Sequence, residues 1–137
     1  MPLAPFYLIA LALVGIADTF YLAYNEFMNI APSCLLAGCD VVLAHPLSEL
    51  LGIPLAYWGL VYYVYMLGLV TLLALEPRSK ALVWGTLFYS TVGLLSSAAF
   101  IYIQGVIIGA FCQYCMLSAI VATALFAVAL WHYKNTR

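Results

Sequence analysis

Four apolar runs of about twenty residues each dominate this chain of 137 residues, at positions 5–24, 54–75, 81–103 and 113–131. The hydrocarbon core of a bilayer is about 30 Å thick, the length that about twenty helical residues cover. In lipid a backbone amide finds no water to bond, so a segment of this kind has to satisfy its own hydrogen bonds, and a helix does so. The runs are continuous rather than alternating, which argues against a transmembrane β-barrel. The expected fold class is an all-α membrane protein, a four-transmembrane-helix bundle forming a single integral domain over residues 1–137. The first run lacks a basic leader and is longer than the apolar core of a signal peptide, so it is expected to stay as a span.

Charge sets the orientation. Only 7% of the residues are charged and 68% are hydrophobic, with a net charge of -1 and no basic cluster, a balance that argues against a nucleic-acid partner. No low-complexity stretch or internal repeat interrupts the runs. Short cytoplasmic loops are enriched in lysine and arginine. Arg78 and Lys80 lie between the second and third runs, and Lys134 and Arg137 follow the fourth. A multi-pass protein of the cell membrane with both termini cytoplasmic is therefore expected. That arrangement leaves the loop of residues 25–53 and the turn of residues 104–111 outside, and it puts every cysteine on the extracytoplasmic side.

The cysteines come as two pairs, Cys34-Leu-Leu-Ala-Gly-Cys39 in the long outer loop and Cys112-Gln-Tyr-Cys115 where the fourth run begins. Thiols outside the cytoplasm can persist as disulfides. Four cysteines allow three pairings, and the count alone also permits structural staples or, if the pairs met at the right geometry, a tetrathiolate zinc site. No metal is expected. Cysteines three apart at a helix start share a face and can close a small disulfide. Backbone amides and the positive end of the helix dipole there stabilise a thiolate and favour its chemistry.

Taken together these residues resemble the prokaryotic homologues of vitamin K epoxide reductase, four-helix membrane oxidoreductases, over nearly the whole chain. The resemblance rests on Gly15-x-x-x-Thr19-x-Tyr21-Leu22 late in the first run and on the loop pair followed by Asp40 and Val41. It rests also on Leu51-Gly52-Ile53-Pro54 leading into the second run, with Gly59 behind it, and on Cys112-x-x-Cys115 with Ser118 after it. The order of the pairs separates it from the DsbB-type oxidases, in which the CxxC lies in the first outer loop. The resemblance implies a relay in which a thioredoxin-like partner gives electrons to the loop pair, the loop pair passes them to the CxxC pair, and a quinone within the bundle accepts them, beneath a capping outer loop. Cys34 would face the partner, Cys39 would shuttle between Cys34 and Cys112, and Cys115 would stand beside the quinone ring. Leu43, Leu55, Trp58, Tyr62, Phe100 and Ala119 are the residues that the resemblance places around that ring.

Some positions depart from the family. Ala44 and His45 stand where a Ser-Ser pair is expected. Leu55 and Ala119 align with the asparagine and tyrosine by which vertebrate members hold the vitamin K ring, so both hydrogen-bonding groups are missing. Reduction of an ordinary membrane quinone, of ubiquinone or menaquinone type, is expected in preference to epoxide reduction. Asp18 lies inside an apolar run, where a carboxyl group is costly and marks function or a neutral, protonated state. His45 is read as a loop histidine with a titration near neutrality. His132, close to Lys134, is read as interfacial, and Gly105-x-x-x-Gly109 as a helix stop. The competing functions are a reductase that runs the relay backwards and a membrane scaffold whose disulfides are purely structural.

Overall fold

The computed structural model describes residues 3–28, 49–50, 53–76, 78–109 and 113–136. Four long helices account for nearly all of them: α1 (Ala4–Phe27), α2 (Leu55–Leu75), α3 (Lys80–Tyr102) and α4 (Gln113–Thr136). All four are long and apolar enough to cross a membrane. A two-residue antiparallel ladder precedes α2, with β1 (Glu49–Leu50) against β2 (Ile53–Pro54). The spans expected from hydropathy start within one residue of these helices. Two helices run on past the apolar run, α1 through Asn25 to Phe27 and α4 through His132 to Thr136, because polar residues end the hydropathy signal without breaking the helical hydrogen-bond pattern.

The helices form an antiparallel ring in which α1 packs along α2 and α4, and α3 closes the ring between them. Gly15 of α1 lies against Tyr63 of α2 while Gly59, a turn earlier on α2, meets Thr19, a turn later on α1. At the opposite end of the bundle, Trp84 at the start of α3 meets Tyr133 at the end of α4, ring centroids 5.0 Å apart. The buried stripes follow helical spacing: Leu8 and Ala12 on α1, Met66, Val70 and Leu73 on α2, Leu125 and Ala129 on α4. Large apolar side chains such as Phe6, Phe20, Tyr65, Phe88 and Leu95 point outward, as expected of a surface solvated by acyl chains.

Lipid tails are as apolar as leucine, so association inside a membrane depends on close packing and interhelical hydrogen bonds more than on apolar burial. Two tyrosines supply both. The Tyr62 ring of α2 stacks on Tyr89 of α3 at 4.6 Å, and each hydroxyl donates to the other's backbone carbonyl, at 3.2 Å and 3.1 Å. Gly93 makes room for this clasp, since a Cβ there would overlap the Tyr62 hydroxyl. Tyr63 crosses the bundle instead. Its ring lies on Gly15 of α1, and its hydroxyl donates to the Ser118 carbonyl of α4 at 2.9 Å and shares a hydrogen bond with the Ser118 hydroxyl at 2.8 Å.

The end of α3 corrects one boundary. The turn expected at residues 104–111 does not begin at Gln104: the chain continues as a wide π-helical turn, Ile103–Ile108, and Gln104 is fully buried. Gly109 ends it in the left-handed conformation, φ 78°, with its N–H on the Gln104 carbonyl at 2.8 Å, so the glycine does act as the stop.

Candidate functional site

One end of the bundle holds Cys115, Ser118, Asp18 and Thr19 together with aromatic side chains of α2 and α3. It is the end where α1 and α3 finish and where α2 and α4 begin, so residues distant in sequence arrive at one level. Cys115 is the third residue of α4 and is half-buried. A thiol in a first turn sits near amides that have no partner within the helix and at the positive end of the dipole, the setting in which cysteine reactivity is raised. Ser118, one turn further along the same face, anchors the Tyr63 hydroxyl. Asp18 of α1 is buried, only 6% exposed, and close enough to Tyr63 for their charges to interact. Its neighbour Thr19 turns its hydroxyl back onto the Gly15 carbonyl at 2.8 Å.

The residues expected around a ring-shaped acceptor fall at the same end. Leu55 opens α2, Trp58 is on its first turn and exposed, and Tyr62 is half-buried one turn on, along the same helix face as Trp58. Phe100 is half-buried near the end of α3, and Ala119 is buried beside Ser118. Tyr62 offers a ring rather than a free donor, since its hydroxyl is engaged on Tyr89. Cys34, Cys39, Leu43, His45 and Cys112 lie outside the described residues. His132 is buried, 4% exposed, within the opposite end of the bundle rather than spread on its rim.

Sequence reasoning passed over two features of this site. Gln104 is a fully buried amide at the level where α3 ends, and it escaped notice because the apolar run stops at residue 103. An amide adjoining an apolar run was the available signal. The Tyr63–Ser118 bridge joins residues 55 positions apart, and neither tyrosine nor serine stands out in such a chain.

The fold defines a four-helix membrane protein with a half-buried cysteine, Cys115, on the first turn of α4 at the end of the bundle where Trp58 and Phe100 also lie. Residues 6–130 match the vitamin K epoxide reductase family, and the chain belongs to that family. It is also 31% identical over 129 residues to a thiol-disulfide oxidoreductase of Arabidopsis thaliana, a match that takes in 85% of this chain and 33% of the plant protein. The chain thus spans about a third of the length of that relative.

Proposed function

We propose that this protein is a membrane thiol-disulfide oxidoreductase that draws electrons from a thioredoxin-like extracytoplasmic partner and delivers them to a membrane quinone, supporting disulfide formation outside the cytoplasm. The observation that carries this reading is the position of Cys115, half-buried on the first turn of α4 at the end of the bundle that gathers Trp58, Tyr62, Phe100 and Ala119. Family membership and the similarity to a thiol-disulfide oxidoreductase support the same chemistry. Flat aromatic rings and a small apolar residue suit a quinone ring, and the lack of hydrogen-bonding groups at Leu55 and Ala119 favours a simple quinone over an epoxide. A bound quinone supplies an acceptor for two electrons and two protons.

The cysteines divide the work. A partner thiolate attacks Cys34 of the Cys34–Cys39 disulfide and releases the Cys39 thiolate, and the partner's second thiol resolves the mixed disulfide and leaves the partner oxidised. Cys39 passes the electrons on by attacking Cys112 of the Cys112–Cys115 disulfide, and Cys115 faces the quinone. Each exchange is an attack by a thiolate on a disulfide sulfur, so each requires the two pairs to approach within disulfide geometry. The relay requires the outer loop of residues 25–53 to bring the first pair over the second.

The charge asymmetry supports an outer location for this end. Arg78 lies between α2 and α3, Lys80 is the first residue of α3, and Lys134 lies near the end of α4, all at the end of the bundle opposite Cys115. A membrane-impermeant thiol reagent applied to intact cells after mild reduction is expected to label the cysteines. Labelling that requires inverted vesicles would reverse the orientation.

A trapping experiment tests the relay. Mixed with the partner in its disulfide form, Cys39→Ser should leave a covalent complex through Cys34, visible on a non-reducing gel and absent after reduction, because the Cys34 thiolate breaks the partner's disulfide and the thiol that would close the loop disulfide and release the partner is gone. Cys34→Ser should form none. If the two variants behave alike, or neither traps a partner, the loop pair does not meet the partner and the scaffold reading with structural disulfides replaces this one.

A further inference from the structure

The bundle holds a carboxyl group that the relay leaves unused. Asp18 is buried in the outer half of α1, and a carboxyl group at membrane depth is costly enough that it marks a functional site by default. It lies one helical turn beyond Gly15, on which the Tyr63 ring packs, and it interacts electrostatically with Tyr63, whose hydroxyl meets the Ser118 hydroxyl at 2.8 Å. Ser118 shares a face of α4 with Cys115, one turn away. Three helices thus bring a thiol, a hydrogen-bonded serine–tyrosine pair and a carboxyl group to one end of the bundle, and a proton row through them would run thiol, serine hydroxyl, tyrosine hydroxyl, carboxyl.

We propose that Asp18 is a proton-handling residue, which receives the proton of the Cys115 thiol through the hydroxyls of Ser118 and Tyr63 and holds it until the electron acceptor takes it up. This inference rests on the thiol-redox reading above. The sum closes without an outside proton. Oxidation of the Cys112–Cys115 dithiol breaks two S–H bonds and forms one S–S bond, releasing two electrons and two protons, and conversion of a quinone to a quinol consumes both. Along the row each hydroxyl takes one proton and gives up another, so that Ser118 and Tyr63 end unchanged and the Asp18 carboxylate becomes a carboxylic acid. The arrangement has an electrostatic logic: an apolar bundle disfavours two negative charges at one end, so thiolate formation at Cys115 favours protonation of Asp18. The ionisable groups at this end of the helices packed against α1 include Tyr57, Tyr62 and Tyr63 on α2 and Cys115 on α4, and Tyr63 interacts electrostatically with Asp18. The ionisable groups near the end of α4, His132, Tyr133 and Lys134, belong to the opposite end of the bundle.

Time-resolved infrared spectroscopy tests this on the full chain in lipid nanodiscs, reduced and then mixed rapidly with a short-chain quinone. The chain has only five acidic side chains, Asp18, Glu26, Asp40, Glu49 and Glu76, so a carboxylic-acid carbonyl band can be assigned by substitution. A transient carboxylic-acid band should rise as the S–H stretch falls and decay as quinol forms. Asp18→Asn should abolish the band, Asp18→Glu should restore it, and Tyr63→Phe, which keeps the carboxyl group but cuts the row, should slow its rise by at least about tenfold. S–H loss without a carboxylic-acid band in the unaltered protein, a band that survives Asp18→Asn, or an undelayed band in Tyr63→Phe would overturn the inference and leave the relay standing. S–H bands that persist in the presence of quinone would remove the relay itself, and this inference with it.

Discussion

Cys115→Ser is expected to abolish the proposed quinone reduction while leaving Cys34 and Cys39 able to exchange with a dithiol partner. The expectation follows from where Cys115 sits: half-buried at the start of α4, level with Trp58, Tyr62, Phe100 and Ala119, it is the described thiol next to the residues proposed to hold a quinone. A serine hydroxyl is not ionised at neutral pH and cannot enter a disulfide, so the effect is a complete loss of the step rather than a slower one. Quinol formation and mixed-disulfide formation with the partner are measured separately on the same preparation. Quinone reduction at the original rate would remove Cys115 from its role. Lost thermal stability with no specific change in turnover would make it a structural cysteine.

Gly15→Ala is expected to lower the stability of the bundle by about 2 to 4 kcal/mol, a range that combines overpacking with the loss of an interhelical hydrogen bond. A Cβ at this position would overlap three ring atoms of Tyr63. The ring cannot withdraw freely, because its hydroxyl is tied to Ser118 by the bonds at 2.9 Å and 2.8 Å. Thermal unfolding in detergent measures the loss. Combining Gly15→Ala with Tyr63→Leu should recover part of it, since the clash disappears with the ring, and this non-additivity is the signature of direct contact. Two strictly additive effects would mean that Gly15 matters for some other reason.

Much of this fold can be read from the chain because the membrane leaves so few choices. An apolar run of twenty residues has one stable backbone solution, and the starts of α2, α3 and α4 fall where the runs begin. Their ends are harder to read, because hydropathy reports the lipid core whereas the helix continues into polar surroundings, as α1 does at Asn25 and α4 at His132. Gln104 shows the same effect at the end of α3, where a π-helical turn carries a buried amide beyond the apolar run. The paired cysteines were conspicuous as chemistry, whereas the groups around Cys115 were not. A hydroxyl that reaches from α2 to α4, or a reciprocal pair such as Tyr62 and Tyr89, depends on helix order and rotation, neither of which local periodicity encodes. Gly15 and Asp18 were visible as exceptions within an apolar run, one small and one charged, but only the packing shows that Tyr63 lies on the first and interacts electrostatically with the second.

The central claim is that electrons pass through this chain from a dithiol to a quinone. The most direct measurement adds a reduced thioredoxin-like protein and a membrane quinone to the purified protein in lipid and counts thiols lost against quinol formed, without oxygen. The account predicts about one quinol for each partner dithiol oxidised, with both signals lost in Cys34→Ser, and with quinol formation lost and partner oxidation held to about a single turnover in Cys115→Ser. Thiol loss without quinol, or quinol formation that persists in either variant, would contradict it.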